Sequence, residues 1–312
     1  MERTRPPAEI RRQLRGEVGF GCPVEGCGSP YLTWHHFDPP WREREHHEAD
    51  GMVALCLQHH KEADSGAFSD GQLRRFKAEP FLKRAGAGPS GRFNWLREQL
   101  ILEAGGGFFV RCPVFLEIAG RPVVWLSSDE GGNQLLNLDL WDSDGELTLA
   151  MRDNDWIVRA HLDDLEAPPS ARSLIVRAPS KDIRVAIEFA PITFEQIEAR
   201  LRRREQDAAT HLLDRYERDL ARLIEEGAPE AFLHSYREMI ERARDEPNSR
   251  AGEVMDWIRR GWSGDELVRC TFEAQIAFPI PVRVTASRIT LPGNNTISGA
   301  VAVDCGTAIA LQ

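Results

Sequence analysis

Cys22-Pro23-Val24-Glu25-Gly26-Cys27, then Trp34-His35-His36-Phe37-Asp38-Pro39-Pro40, then Leu55-Cys56-Leu57-Gln58-His59-His60-Lys61-Glu62-Ala63-Asp64: these pieces of one stretch decide how the chain is read. Six of the nine histidines and three of the six cysteines in 312 residues fall between Cys22 and Asp64. Random placement does not concentrate metal-binding side chains this way. Two separate metal sites are expected.

The first set is Cys22, Cys27, Cys56 and His59, a Cys3His combination common in structural zinc sites. Cys56-x2-His59 lets the start of one helix supply two ligands, and Cys22 and Cys27 flank a tight knuckle with Pro23 and Gly26. Sulfur and imidazole together favour zinc over hard cations. The competing reading is a disulfide or unligated thiols, which the expected reducing compartment disfavours. The second set uses His60 and Asp64, four apart and therefore on one face of a helix. His59 and His60 diverge by about 100° on such a helix, so each can serve a different ion. His35 or His36 completes the second site from the preceding segment. Imidazole and carboxylate ligands with open water positions suit a divalent ion acting on phosphate. The spare histidine can accept a proton near neutral pH.

This arrangement resembles the HNH endonuclease family, a ββα-metal nuclease built on a treble-clef zinc knuckle. The resemblance covers roughly residues 10–80, and the spacing from His36 to His60, 60 − 36 = 24, is typical of it. It implies that His35, His60 and Asp64 hold a catalytic divalent cation and that His36 is the general base. His35, His36 and His60 are then the catalytic histidines. Two departures stand out. The position nine before His60, where the family carries its central asparagine, is Gly51, with Asp50 beside it as a substitute hydrogen-bonding group. Asp64 replaces a histidine, which hardens the site and favours Mg2+ or Mn2+.

Net charge is −10, which argues against a broad nucleic-acid surface. The imbalance is uneven: residues 1–85 carry 13 Lys+Arg and 13 Asp+Glu, and the remainder carries 26 and 36. Within the neutral part, Arg11, Arg12 and Arg15 on a short helix over 8–17, and Arg74 and Arg75 on a second, are the expected phosphate contacts, with a solvated face the equal alternative for the first helix. His46 and His47 read as solvated, since no spacing ties them to a ligand set. Cys112, Cys270 and Cys305 read as separate core thiols. The N-terminus lacks the apolar stretch of a signal peptide and no run approaches the ~20 residues that span a bilayer. A cytoplasmic protein with no membrane partner is expected.

Beyond the N-terminal quarter, residues 86–92 (Gly-Ala-Gly-Pro-Ser-Gly-Arg) read as a flexible linker. An amphipathic helix over Asn94–Glu103 follows, then strands over Phe108–Ile118, Pro122–Leu126, Gln134–Leu140 and Glu146–Met151, the last two joined at an Asp-Gly turn. Ser173–Arg177 and Ile183–Phe189 form a further pair. A long helix from Phe194 to Glu226 shows an apolar stripe through Ile197, Leu201, Leu212, Tyr216 and Leu220. Gly227 and Pro229 separate it from a second helix, with Phe232, Tyr236, Met239 and Ile240 inward. Strands return from Leu267 to Leu311. The expected architecture is α+β: an HNH module with structural zinc (1–85), a linker (86–92), a β-rich region (93–192), a helical hairpin (193–246), and a β-rich region (247–312) packing with 93–192. The function expected is DNA phosphodiester hydrolysis, regulated through the C-terminal region by a small molecule or protein. A homo-oligomer is carried as a further partner, and the alternative function is a catalytically inactive zinc module that binds nucleic acid or protein.

Overall fold

The computed structural model describes residues 5–94, 96–159, 162–177, 183–245, 250–260, 262 and 267–311. It is a mixed α+β protein in two compact units, Met1–Ala190 with Val268–Gln312, and Pro191–Leu267.

The first unit begins with α1 (Ala8–Glu17), which starts directly after Pro7. Leu14 and Val18, one helical turn apart, are fully buried. Strands β1 (Leu32–His36) and β2 (Met52–Cys56) pair antiparallel from Leu32↔Cys56 to His36↔Met52. All five residues of β2 are buried, which explains its unbroken apolar run. Helix α2 (Leu57–Asp64) follows without a loop. Helix α3 (Asp70–Ala78) has a capping box, Ser69 accepting from the Gln72 amide while Gln72 reaches back to the Ser69 amide. Helix α4 (Phe81–Ala85) ends at Gly86.

The 86–92 stretch is not a free linker. Ser90–Arg92 forms β3, the edge of a seven-stranded sheet, and the Tyr31 hydroxyl donates to the Arg92 carbonyl at 2.8 Å. The expected helix over 94–103 is also absent. Leu100–Ala104 is a strand, β4, whose residues are buried on both faces, and Trp95 lies outside the described residues. The single strand expected over 108–118 divides into β5 (Gly107–Val110) and β6 (Val114–Ile118), because Arg111 turns to φ 51° and Pro113 follows. Next come β7 (Arg121–Ser128), β8 (Gln134–Trp141), β9 (Leu147–Arg152) and β10 (Asp155–Val158). The turn between β8 and β9 is held by the Asp142 carboxylate, which accepts from the amides of Asp144 and Glu146. Strands β11 (Asp164–Glu166), β12 (Ser173–Arg177) and β13 (Ile183–Ile192) open a second sheet.

In the second unit, α5 (Phe194–Glu225), α6 (Glu230–Asp245) and α7 (Ala251–Arg259) pack on one another through α5. The inward face is narrower than expected: Ile197, Leu201, Leu233 and Ile240 are buried, whereas Leu212, Phe232 and Met239 are exposed. Pro247-Asn248, read as a break, lies outside the described residues.

Returning to the first unit, β14 (Leu267–Ile276) is a neighbour of β13 in the second sheet, so the helical unit interrupts two adjacent strands. Its first half pairs in parallel with β4, and its second half pairs antiparallel with β15 (Val282–Val284). Then β16 (Ile289–Thr290), β17 (Thr296–Ile297), β18 (Val301–Val303) and β19 (Thr307–Leu311) close the chain. Strand β18 pairs in parallel with β5 and β19 with β6. The larger apolar core lies between these sheets, and a smaller one surrounds β2. Among the described residues no helix is long and apolar enough to cross a membrane.

Candidate metal centres and the adjoining cleft

Two groups of side chains could each hold a metal ion: Cys22, Cys27, Cys56 and His59, and separately His35, His60 and Asp64. In the first, Cys22 and Cys27 sit in the turn after α1, tied by Cys22 N–H to Ser29 O at 2.8 Å and Cys27 N–H to Val24 O at 3.0 Å. Cys56 is the last residue of β2 and the N-cap of α2, so His59 falls in the first helical turn. His59 Nδ1 lies 3.3 Å from Cys22 Sγ and 3.2 Å from Cys56 Sγ, and the sulfurs of Cys27 and Cys56 are 3.9 Å apart. Cys56 is held well below the usual thiol range, first by its contacts with Cys22 and Cys27, whereas contacts with Cys27 and Cys56, together with burial, hold Cys22 far above it.

In the second group, one ligand atom from each of His35, His60 and Asp64 lies within 4.8 Å of the others. His35 Nδ1 is 3.3 Å and His60 Nε2 is 3.7 Å from the Asp64 carboxylate. Thr33 sets the tautomer of His60. Its hydroxyl proton goes to the Leu55 carbonyl at 3.0 Å, so its oxygen accepts from His60 Nδ1 at 2.6 Å. His60 Nε2 therefore carries the lone pair and faces Asp64. Thr33 was not singled out in the sequence. The signal was there, because Thr33 and His35 are two apart on a strand and share its face.

His36 does not join this ligand set. Adjacent strand residues alternate in direction, and the His36 ring turns to the 38–48 loop, with its centroid 4.7 Å from Trp41 and 5.1 Å from His46. Its Nε2–H donates to the His46 carbonyl at 2.9 Å, which leaves Nδ1 as the proton-accepting nitrogen of the neutral ring. His35 and His36 nevertheless line one cleft of about 590 Å3, together with Trp41, Arg42, Asp64 and Phe68. The two histidines reach it from the end of β1, where the strand stops.

His46 was expected to be solvated; it is 7% exposed. Its Nε2–H donates to the Pro39 carbonyl at 2.9 Å and its Nδ1 accepts from the Glu48 amide at 3.2 Å. One imidazole thus closes the loop that faces His36. Asp50, the expected substitute, is exposed. Gly51 has no room for a side chain, since an added Cβ would overlap the Asp38 carbonyl oxygen and crowd the His46 ring. The Gly51 carbonyl instead accepts from the amides of Phe37 and Asp38. His47 also leans on this group, its ring 5.3 Å from Trp41.

The expected phosphate contacts on α1 are otherwise engaged. Arg15 is buried and gives a two-pronged hydrogen bond to Asp164, Arg11 pairs with Glu166 at 3.3 Å, and Arg12 lies 3.7 Å from Asp163. Three carboxylates on or beside β11 neutralise the basic face that the local sequence displays. On α3, Arg74 pairs with Asp38 at 2.5 Å while both stay more than half exposed, and Arg75 is exposed. Lys77, the third cation of the basic run on α3, donates to the carbonyls of Ala49 and Met52 and pairs with Glu17, bracing β2 against α1 and α3. Comparison with protein-family models, with curated proteins and with solved structures gives no match to this chain.

Proposed function

We propose that the chain is a metal-dependent endonuclease of the HNH type, with a structural zinc ion in the Cys22/Cys27/Cys56/His59 set and a catalytic Mg2+ or Mn2+ ion in the His35/His60/Asp64 set. The observation that carries this reading is the convergence of His35, His60 and Asp64, two of which, His35 and Asp64, line a cleft that His36 also lines. Zinc suits the first set on chemistry and size. A tetrahedron with Zn–S bonds of about 2.3 Å and a Zn–N bond of about 2.0 Å has S···S edges of about 3.8 Å and S···N edges of about 3.5 Å, near the observed sulfur–sulfur contact of 3.9 Å and sulfur–nitrogen contacts of 3.2 and 3.3 Å. The second set offers two imidazoles and one carboxylate, leaving open positions for water and phosphate oxygens.

When bound, the divalent ion supplies positive charge against the scissile phosphate and the leaving oxygen. The chain supplies the rest. His36 is the side chain that takes a proton from the attacking water, while the His46 carbonyl, holding Nε2–H, orients the ring and stabilises the imidazolium that forms. His46 does for the loop what the family's asparagine would do at position 51. With α1 neutralised by β11, substrate grip falls to Arg42 in the cleft and Arg74 and Arg75 beside it, which predicts weak, salt-sensitive DNA binding.

Incubation of plasmid and single-stranded oligonucleotide with Mg2+, Mn2+ or chelator tests the reading. Metal-dependent cleavage that His36→Ala abolishes, with the fold unchanged, supports it. Nucleic-acid binding without cleavage under all conditions favours an inactive zinc module instead.

A further inference from the structure

Cys112 and Cys305 are 193 positions apart, yet their sulfurs lie 2.9 Å from each other. The ladders on either side put them there. Strand β18 pairs with β5 at Val303↔Val110, and β19 pairs with β6 at Thr307↔Val114. Both registers are offset by 193 (303 − 110 and 307 − 114), so the turn between each pair of strands carries the same offset past the other. Position 305 therefore meets position 112 by backbone register, not by the choice of a rotamer. Arg111 and Asp304, with the same offset, clamp the two turns together through hydrogen bonds of 2.5 and 2.8 Å. The Asp304 amide donates to the Val110 carbonyl and the Val114 amide to the Gly306 carbonyl. Cys270, the other cysteine outside the N-terminal cluster, is fully buried on β14.

We propose that Cys112 and Cys305 are a reversible disulfide site, oxidised by a hydroperoxide and reopened by a dithiol, whose closure fastens β18 and β19 onto β5 and β6. This proposal stands independently of the nuclease reading. Bond formation requires the sulfurs to approach to about 2.05 Å, a movement of about 0.9 Å within turns already held together. Cys305 is half-buried and Cys112 is buried, so Cys305 meets the oxidant first. Burial, followed by the contact with Cys305, pushes the Cys112 thiol up to about 12. The Cys305 thiolate attacks one peroxide oxygen, the O–O bond breaks, and the leaving oxygen departs as water or an alcohol. The Cys112 sulfur then attacks the sulfenic sulfur of residue 305, its proton passes to the departing oxygen, which leaves as water, and the S–S bond forms. Two electrons pass from the sulfurs to the peroxide, and the two thiol protons leave with the two oxygens. A dithiol reverses the step by exchange.

The full-length protein is treated with stoichiometric hydrogen peroxide, remaining thiols are alkylated, and peptides are mapped by mass spectrometry. A peptide pair joining positions 112 and 305, lighter by two hydrogens, is expected, is lost on dithiothreitol treatment, and is absent from Cys305→Ser. Amide exchange in β18 and β19 is expected to slow at least about tenfold in the oxidised protein. Peptide mapping of the wild type decides the matter even if the variant folds poorly. Alkylation of both cysteines after peroxide treatment, linkage of either to Cys270 or to a second chain, or unchanged exchange in the cross-linked protein would each overturn the proposal.

Discussion

Arg15 donates two hydrogen bonds, both 2.8 Å, to the carboxylate of Asp164, 149 positions further along the chain. Both side chains are buried, at 5% and 2% exposure. Arg177 adds a third donor to the same carboxylate at 2.9 Å. The fork geometry of the guanidinium suits a bidentate partner, which fixes α1 in position and angle against β11.

Truncating one partner leaves the other as an uncompensated buried charge. Asp164→Ala is expected to cost about 3–5 kcal/mol in urea unfolding of the full chain. Replacing Arg15 and Asp164 together with apolar residues of similar volume should cost much less. A loss below about 1 kcal/mol for Asp164→Ala would show that the pair is incidental.

The same pair shows what the sequence could and could not reveal. Helix α1 and its ten residues are legible in the sequence, but its basic face reads there as a solvated face or a phosphate grip, not as a buried ion-pair surface. A local reading sees Arg11, Arg12 and Arg15 and cannot see that Asp163, Asp164 and Glu166 come back to meet them. The two candidate ligand sets were legible because much of their spacing is local: Cys56, His59, His60 and Asp64 lie on one strand end and one short helix. His46 was illegible because its partners are backbone groups and its role depends on a turn that no periodicity announces. The strand at Leu100–Ala104 was mistaken for a helix because Leu100 and Leu102 sit in a strand buried on both faces, where apolar residues do not alternate.

The purified protein should carry one zinc ion per chain by elemental analysis. Cys56→Ser should abolish it, because Cys56 contacts both Cys27 and His59 within 3.9 Å. Metal binding of this kind is folding free energy, so strong chelators should also lower the unfolding midpoint. Intact stability in metal-free protein would count against a structural ion.

Thr33→Val removes the oxygen that fixes His60 while keeping the shape of the side chain. Outer-shell changes of this kind cost about 10–100-fold in metal affinity. Calorimetric titration with Mn2+ should show a weakening in that range at unchanged zinc content. Equal affinities would mean that Thr33 does not orient the ligand.

His46→Ala should slow cleavage by about 10–100-fold with Mn2+ affinity unchanged, because the loop presenting the carbonyl to His36 loses both of its imidazole ties. Gly51→Asn should not compensate. With no space for a Cβ it should destabilise the fold by more than about 2 kcal/mol. A stable, fully active Gly51→Asn protein would refute the assignment of His46 to this role.

The most direct measurement is anomalous X-ray scattering from crystals of the zinc-loaded protein soaked in Mn2+. The account predicts a manganese peak about 2.0–2.3 Å from a ring nitrogen of His35, from His60 Nε2 and from an Asp64 oxygen, in the cleft beside His36. A peak elsewhere, or none at a saturating Mn2+ concentration with the zinc site filled, would contradict it.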